Sequence, residues 1–336
     1  MAVASGESLE KLEDMIVRAA ESTAAHVQAA KAAIGAVIFG QDIVVERALI
    51  TVLSGGHALL VGVPGLAKTK LVETMGTALG LDARRVQFTP DLMPSDILGS
   101  EVLEESAAGK RSFRFIPGPV FAQLLMADEI NRASPRTQSA LLQAMQEQHV
   151  TVAGARHDLP KPFHVLATQN PLEQEGTYPL PEAQLDRFLM EIDVDYPDQA
   201  AERRILFDTT GADESRAKAA MNGDDLISAQ RLVRRLPVGE SVVEAILQLV
   251  RSARPGPDAG EVGNLISWGP GPRASQALML AVRARALLDG RFAPSVDDVL
   301  ELAEPVLKHR MALTFSARAE GETIGNVISR LKSRIG

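Results

Sequence analysis

The stretch Leu59-Leu60-Val61-Gly62-Val63-Pro64-Gly65-Leu66-Ala67-Lys68-Thr69 decides the fold of this chain. A short apolar run gives way to two glycines and a proline, and Lys68 and Thr69 then open an amphipathic segment whose spacing predicts a helix. A strand, a tight loop and a helix in this order are the context that a phosphate-binding loop (P-loop) requires. Such a loop turns backbone N–H groups toward a phosphate, and the helix N-terminus adds positive charge there. We therefore expect Lys68 at the β- and γ-phosphates and the Thr69 hydroxyl at Mg²⁺.

The loop departs from the general pattern G-x-x-x-x-G-K-[ST] at Ala67, which stands where the second glycine belongs. An alanine requires a negative φ, so we expect this position to have helical dihedrals already, at the start of the helix. The alternative is an ordinary strand-to-helix turn with an exposed lysine. The segments further along the chain weigh against that alternative.

The composition limits the class of protein. The 336 residues suffice for two domains, and with only 4% aromatic residues their cores are expected to be aliphatic. There are 35 Lys plus Arg against 43 Asp plus Glu, which argues against a nucleic-acid-binding protein. The absence of cysteine excludes disulfides and thiolate metal sites.

The sequence offers no targeting or membrane signal. The first 15 residues lack the apolar segment of a secretory signal, and the longest apolar runs fall short of the roughly 20 residues that a membrane span needs. We expect a soluble, cytoplasmic protein without a membrane span.

Paired acids follow a second apolar run. The four apolar residues 124–127 precede Asp128 and Glu129, as in a buried strand that ends at a ligand site. In P-loop enzymes this strand lies beside the P-loop strand, so Asp128 is expected to hold Mg²⁺ through water and Glu129 to orient the attacking water. Acid pairs are common on solvated faces, but the apolar run makes that interpretation the weaker one.

A third apolar strand, predicted within residues 163–170, also ends in polar groups. Its last residue, Asn170, is a candidate to hydrogen-bond the attacking water or the γ-phosphate. The alternative is a turn-forming asparagine before Pro171.

Two arginines further along are candidate charge-stabilising groups. Arg187 follows a short helix predicted over 182–188 and either stabilises transition-state charge or pairs on the surface with Glu182 or Asp186. Arg273 begins a predicted helix, where the helix dipole disfavours a cation unless an anion compensates it. A phosphate would be such an anion, and a nearby carboxylate is the alternative.

The chain divides most readily at residues 196–198, Tyr-Pro-Asp. Residues 1–195 predict an N-terminal helix and an α/β domain with a parallel sheet, which also carries hairpins at 101–115 and 149–159. Residues 196–336 predict a helical domain, in which Pro305 is expected to kink or interrupt the last long helix. The lone His57 is interpreted as a packed or edge histidine.

Taken together, these segments resemble the MoxR group of AAA+ ATPases. Each motif alone is ordinary, but the whole series in this order is highly specific, and Ala67 agrees with the group. The matching motifs are Gly62-Val63-Pro64-Gly65-Leu66-Ala67-Lys68-Thr69, Phe88-Thr89-Pro90-Asp91-Leu92-Met93-Pro94-Ser95-Asp96-Ile97-Leu98-Gly99, Ala127-Asp128-Glu129-Ile130-Asn131-Arg132-Ala133, Ala167-Thr168-Gln169-Asn170-Pro171, Leu185-Asp186-Arg187-Phe188 and Gly271-Pro272-Arg273-Ala274.

The resemblance implies an α/β P-loop domain followed by an all-α lid, with ATP and Mg²⁺ bound and a ring commonly of six subunits. The implied catalytic roles are Walker A for Lys68 and Thr69, Walker B for Asp128 and Glu129, sensor 1 for Asn170, an arginine finger on the neighbouring subunit's ATP for Arg187, and sensor 2 for Arg273. The metal would be held by Thr69 and Asp128. The nucleotide would be held by Gly62, Val63, Pro64, Gly65, Leu66, Ala67, Lys68, Thr69 and Arg273, with Ile38, Gly40 and Gln41 near adenine.

The main functional hypothesis is an ATP-hydrolysing, chaperone-like protein that remodels or matures a separate partner. By resemblance, the partner would carry a von Willebrand factor A domain. The alternatives are a magnesium-chelatase-like motor subunit and a nucleotide-gated binding switch with incidental turnover. Guanine specificity is disfavoured because the sequence has no Asn-Lys-x-Asp segment.

Overall fold

The first 193 residues form a mixture of strands and helices. The computed structural model describes residues 6–105, 111–173, 176–209 and 216–335. In chain order the elements are α1 (Gly6–Gly35), α2 (Asp42–Leu53), β1 (Ala58–Val61), α3 (Lys68–Ala78), β2 (Ala83–Gln87), α4 (Pro94–Leu98), β3 (Gly99–Glu105), β4 (Arg111–Pro117), β5 (Leu124–Asp128), α5 (Pro135–Glu147), β6 (His149–Val152), β7 (Ala155–Asp158), β8 (His164–Gln169), α6 (Glu182–Leu185) and β9 (Met190–Asp193). A turn of 3₁₀ helix, Ile130–Arg132, follows β5. The helix predicted over 182–188 is therefore shorter than expected.

Five of these strands form one parallel sheet in the order β2-β5-β8-β1-β9. Both faces of the sheet are covered, so every residue of β5 is buried and the strand is apolar up to its last residue. Strand β8 lies between β5 and β1, so the expectation that the acidic strand lies directly beside the P-loop strand is wrong. The register sets Ala127 opposite Ala167 and Val61 opposite Gln169, which aligns the ends of all three strands. The P-loop, the acidic pair and Asn170 therefore all lie at the carboxyl ends of the strands. Parallel α/β sheets bind their ligands at this end.

Two antiparallel hairpins project from this domain, as predicted. The first pairs β3 with β4, and the turn expected at residues 106–109 lies outside the described residues. The second pairs β6 with β7 and turns at Ala153 and Gly154, both with positive φ. Phe115 of the first hairpin stacks on His157 of the second, with ring centroids 3.8 Å apart.

The second half of the chain is mainly helical, as predicted. Its elements are α7 (Gln199–Thr209), α8 (Gly223–Arg235), α9 (Glu240–Ser252), a 3₁₀ segment (Pro257–Leu265), β10 (Ile266–Trp268), α10 (Pro272–Leu288), α11 (Val296–Leu307), a 3₁₀ turn (Lys308–Arg310), β11 (Ala312–Leu313), α12 (Phe315–Ala319) and α13 (Ile324–Lys332). The antiparallel pair of β10 and β11 was not predicted, because strands of three and two residues show no alternation. Pro305 does not interrupt α11, which ends two residues later.

The hydrophobic core is continuous between the two halves. One face of the sheet packs on α2 and α3, and the same apolar cluster continues through α1 into α8, α9, α10 and α11. The cluster on the opposite face is centred on Phe88, Leu142 and Phe188. No described helix combines the length and the apolar character needed to cross a bilayer. The boundary expected between residues 195 and 196 falls in the segment that joins β9 to α7, and it stays a prediction.

Arg310 joins the lid to the α/β domain. Its side chain is only 2% exposed. Its Nε donates to Asp186 Oδ1 at 2.8 Å, and its Nη2 donates to the Phe188 carbonyl at 2.6 Å. A buried guanidinium is stable only when its donors are satisfied, so the lid is held against the turn that carries Arg187.

Two buried histidines lie at the amino end of the sheet. His57 Nδ1 accepts the backbone N–H of Val165 at 2.9 Å, and His164 Nδ1 donates to the Gly56 carbonyl at 2.8 Å. Burial and, to a smaller extent, the nearby His164 together lower the pKa of His57 to about 3. Burial also lowers the pKa of His164 to about 4. His57 is therefore a packed histidine, as expected, and the described residues include no cluster of three or more metal-ligating side chains.

We expect the free energy of unfolding to fall as the pH is lowered from 7 to 5. The unfolded chain takes up protons on these imidazoles near pH 6.5, whereas the folded chain keeps them neutral until the pH approaches their lowered pKa values. Each histidine would then cost up to ~2 kcal/mol of stability over this interval. Urea unfolding followed through the single tryptophan, Trp268, measures the loss.

A pair of variants isolates the cause. His164→Asn should reduce the loss of unfolding free energy between pH 7 and pH 5, with the contribution of His57 remaining. The same change at the exposed His26 should leave that loss intact. Equal slopes in both variants would mean that His164 is not held neutral in the folded chain.

Candidate nucleotide-binding site

The P-loop turns directly off the end of β1. Gly62 is the first residue after the strand, and a Cβ there would lie 2.4 Å from the Val194 carbonyl oxygen. Gly65 has a φ of +86° with open space around it, so glycine is favoured there by the backbone conformation. The two glycines of the motif thus serve different purposes, a close approach to the chain after β9 and a left-handed turn.

Ala67 has a φ of +56°, so the expectation of a negative φ is wrong. The residue precedes α3 in the left-handed conformation, while its carbonyl already accepts the Leu71 N–H at 2.9 Å. The loop needs a left-handed residue here to change direction into the helix. For a residue with a Cβ this conformation costs roughly 1–2 kcal/mol, which is the strain that a second glycine would avoid.

Lys68 folds back over the loop that precedes it. Its Nζ donates to the carbonyls of Gly62 at 2.5 Å and Val63 at 3.1 Å. Burial lowers the pKa of Lys68, against the opposing effect of Asp128 and Glu129. The ammonium group therefore lies between the loop and the acidic pair, where a bound phosphate would replace the carbonyls as its partner.

The acidic pair is held by three strands. Asp128 ends β5 and is 8% exposed. Its Oδ1 accepts from the Thr168 hydroxyl at 2.5 Å, and its Oδ2 accepts from Arg85 Nη2 at 2.5 Å. Glu129 follows with a φ of +54°, and its N–H donates to the same Thr168 oxygen at 2.8 Å. Thr168 thereby fixes the position of both acidic residues.

The Glu129 carboxylate also has partners. Its Oε2 accepts from Gln87 Nε2 at 2.6 Å and from Arg132 Nη1 at 2.9 Å. The Glu129 side chain is therefore held by one donor from β2 and one from the 3₁₀ turn after β5, both on Oε2. Among the described residues, the second oxygen, Oε1, has no hydrogen-bond partner.

Asn170 makes a local turn bond and also lines the P-loop cavity, while its bond to the attacking water or the γ-phosphate stays a prediction. It is buried, and its Oδ1 accepts the Leu172 N–H at 3.1 Å, which is the local turn bond expected of an asparagine before proline. It also lines the same cavity as Lys68 and the acidic pair. Its amide group is therefore oriented by the turn and faces the site.

These groups surround one cavity of about 460 Å³, which we call the P-loop cavity. It is lined by residues 64–70, the β2 residues Arg85 and Gln87, and Asp128, Glu129 and Asn170. The structure thus brings Lys68, Thr69, Asp128, Glu129 and Asn170 together. Sequence reasoning missed Arg85, Gln87 and Thr168. The only signal was the spacing of two between Arg85 and Gln87, which puts both on one face of β2.

The residues fit a nucleotide with a divalent cation. Mg²⁺ is usually held by one or two carboxylates together with substrate phosphates, and the Asp128 carboxylate and Thr69 hydroxyl, which line this cavity, would be its oxygen ligands. A cationic guanidinium already lies against Asp128, so positive charge is stable at this position. The start of α3 adds backbone N–H groups for phosphate oxygens.

The residues expected near adenine lie outside the lining of the P-loop cavity. Ile38 belongs to the hydrophobic core, and Gln41 Nε2 donates to the Asp195 carbonyl at 2.7 Å. A Cβ at Gly40 would lie 2.4 Å from the Ala201 side chain. Gly40 and Gln41 therefore pack where the chain passes from β9 to α7. The contact of all three residues with adenine stays a prediction.

Arg187 and Arg273 line a second cavity of about 290 Å³, between the α/β domain and the lid, which we call the lid cavity. Arg273 Nη1 lies 3.4 Å from Asp186 Oδ2, so a carboxylate compensates it at the start of α10. Arg187 Nη1 donates to the Leu142 carbonyl at 2.7 Å, and its buried Nε has no hydrogen-bond partner among the described residues. Within one chain, Arg273 therefore lines the lid cavity and does not belong to the lining of the P-loop cavity, and its contact with nucleotide stays a prediction.

Comparison with known protein families agrees with this arrangement. The model of the ATPase family associated with various cellular activities (AAA) matches residues 57–190, and that of the AAA lid domain matches residues 260–331. Chaperone MoxR1 of Mycobacterium tuberculosis is 43% identical over 317 residues, covering 93% of this chain and 83% of the relative. Protein MoxR of Paracoccus denitrificans is 33% identical over 303 residues, covering 85% and 88%.

A solved structure shares the fold as a whole. The crystal structure of a protein from Cytophaga hutchinsonii, described as a candidate ATPase, has a TM-score of 0.87 to this chain at 36% identity. The match covers 97% of this chain and 98% of that one. The predicted parallel-sheet P-loop domain with a helical lid is confirmed.

We expect Ala67→Gly to raise the free energy of unfolding by about 0.5–1 kcal/mol, because relief of the left-handed strain outweighs the added freedom of the unfolded chain. Ala29→Gly, at an exposed position inside α1, should lower it by about 1 kcal/mol. Urea unfolding of both variants measures the two changes. A loss of stability at Ala67 equal to that at Ala29 would contradict the left-handed conformation.

Proposed function

The chain belongs to the MoxR group of AAA+ ATPases, and on that premise we propose that it hydrolyses ATP with Mg²⁺ to remodel or mature a partner protein. One observation carries the proposal: Lys68, Asp128 and Asn170 follow or end three different strands and yet line the same cavity. Unrelated surface turns are not expected to bring these three residues together. A site for the terminal phosphate of ATP requires them to be close to one another.

The chemistry follows from the residues that line the cavity. A loose phosphoryl transition state carries negative charge on the terminal oxygens, so catalysis requires positioned cations and one oriented water. Bound Mg²⁺ would supply charge neutralisation at the phosphate oxygens. Lys68 would exchange its two carbonyl partners for phosphate oxygens, and the Glu129 carboxylate would orient the attacking water. Asn170, which directly follows β8, would hold that water or the γ-phosphate.

We propose that Arg187 and Arg273 act on a neighbouring subunit. Both line the lid cavity, away from the P-loop cavity of their own chain, and Arg187 Nε is buried without a partner in the described residues. A cation supplied across a subunit contact makes hydrolysis depend on assembly. Rings of this group commonly contain six subunits, and a ring would let each chain complete the site of the next.

The work done by the cycle would be directed at another protein. The chaperone name of the Mycobacterium tuberculosis relative supports this reading. The association of the group with partners that carry von Willebrand factor A domains indicates the class of partner. We propose that this protein acts in the cytoplasm. Arg310 joins the lid to the turn that carries Arg187, so nucleotide-driven movement of the lid would also move that arginine.

Glu129→Gln should retain ATP binding and lose turnover by about 10²-fold or more, because an amide cannot accept the proton from the attacking water. Binding is measured with a fluorescent ATP analogue and turnover by phosphate release. The control is Glu244→Gln, at an exposed position of α9, which should keep both. Unchanged turnover in Glu129→Gln would remove Glu129 from this role.

Mixing two inactive variants tests action across subunits. Arg187→Ala chains keep Glu129, and Glu129→Gln chains keep Arg187, so a mixed ring contains some complete sites. We expect the mixture to recover part of the phosphate release that each variant lacks alone. If the mixed chains assemble into rings and stay inactive, Arg187 does not act on the neighbouring site.

A further inference from the structure

Arg85 contacts the carboxylate proposed to hold Mg²⁺. It lies on β2, the edge strand next to β5, and its Nη2 and Nε are 2.5 Å and 3.1 Å from Asp128 Oδ2. The Arg85 side chain is 49% exposed, whereas that of Asp128 is 12% exposed. The guanidinium thus reaches in from the cavity rim to a carboxylate that is otherwise enclosed.

The remaining contacts of Asp128 leave little room for a second cation. Oδ1 accepts from the buried Thr168 hydroxyl, and Oδ2 accepts two N–H groups of Arg85. A Mg²⁺ ion or its water would need an Asp128 oxygen at the same place. Two cations on one carboxylate repel each other, so the guanidinium and the metal cannot both be held there at full strength.

Arg85 also connects the two acidic residues. Its Nη2 donates to Gln87 Oε1 at 2.7 Å, and Gln87 Nε2 donates to Glu129 Oε2 at 2.6 Å. The resting contacts therefore run from Asp128 through Arg85 and Gln87 to Glu129. Displacement of Arg85 would release Asp128 and remove the acceptor bond that orients Gln87.

We propose that Arg85 is an internal counter-ion that occupies the metal position on Asp128 and competes with Mg²⁺ for it. In the free protein the guanidinium neutralises the buried carboxylate, and Mg²⁺ takes its place when it arrives with nucleotide. Arg85 then sets how much Mg²⁺ is needed to fill the site. This inference rests on the proposed binding of ATP with Mg²⁺.

The test is a titration of Mg²⁺ at a fixed concentration of a fluorescent ATP analogue. Arg85→Gln should lower the half-saturating Mg²⁺ concentration by about threefold to tenfold, the range expected for loss of a hydrogen-bonded charge pair of this exposure. Without Mg²⁺ the same variant should bind the analogue more weakly than the wild type, because Asp128 is left uncompensated beside the phosphates. Arg85→Lys keeps a cation and should return the half-saturating concentration toward the wild-type value.

The matched control is Arg84→Gln. Arg84 is the preceding residue of β2, is exposed, and pairs with Asp82 instead of the acidic pair. It should leave the Mg²⁺ titration unchanged. Thermal unfolding of each variant without ligand establishes that it is folded, and Arg85→Ala, which also removes the charge, replaces Arg85→Gln in the test if that variant does not fold.

Three outcomes have distinct meanings. An unchanged half-saturating concentration in Arg85→Gln would overturn the competition. Weaker analogue binding at every Mg²⁺ concentration would also overturn it, since Arg85 would then be a ligand of the nucleotide. If the wild type itself shows no binding that depends on Mg²⁺, the proposed function fails first, and with it the premise of this inference.

Discussion

A carboxylate buried at the end of an apolar strand is the constraint on which the rest of the site depends. Asp128 closes a strand whose every residue is buried, and an ionised group in such surroundings is stable only when it is paired. Thr168 from β8 and Arg85 from β2 supply that pairing, and they reach Asp128 only because these strands flank β5 in the sheet. The strand order therefore supplies the partners that stabilise the acidic pair, and it also places the pair near the P-loop.

Backbone strain is concentrated at the same cavity. Ala67 and Glu129 both line it, and both have left-handed φ values although neither is glycine. Each such residue costs roughly 1–2 kcal/mol and persists only where its surroundings leave no alternative. The start of α3 holds Ala67, and the Thr168 hydroxyl holds the Glu129 N–H. The two strained conformations thus lower the stability of the folded chain while they orient the loop and the carboxylate. Such strain is consistent with a site selected for its chemistry.

Sequence reasoning succeeded where one segment carries its own signal. The glycines before Lys68 and the acids after an apolar run are local patterns, and both segments form the predicted elements, apart from the left-handed φ of Ala67. The contacts of Arg85 were not predictable, because they depend on β2 lying beside β5, which the order of strands along the chain does not reveal. The position of Arg273 likewise depends on how the lid packs. No local pattern marks Arg310, the buried arginine that determines this packing.

The charged groups of the P-loop cavity already have partners within the chain, so ligand binding there is an exchange of contacts. Lys68 holds two loop carbonyls, Arg85 holds Asp128, and Arg132 holds Glu129. A nucleotide gains only the difference between its own contacts and those it displaces, which limits how tightly the site can hold it. The side chains that exchange contacts belong to α3, to β2 and to the turn after β5, so occupation of the cavity rearranges contacts in all three elements. For a protein with the function proposed above, modest net affinity combined with forced rearrangement favours release of the product.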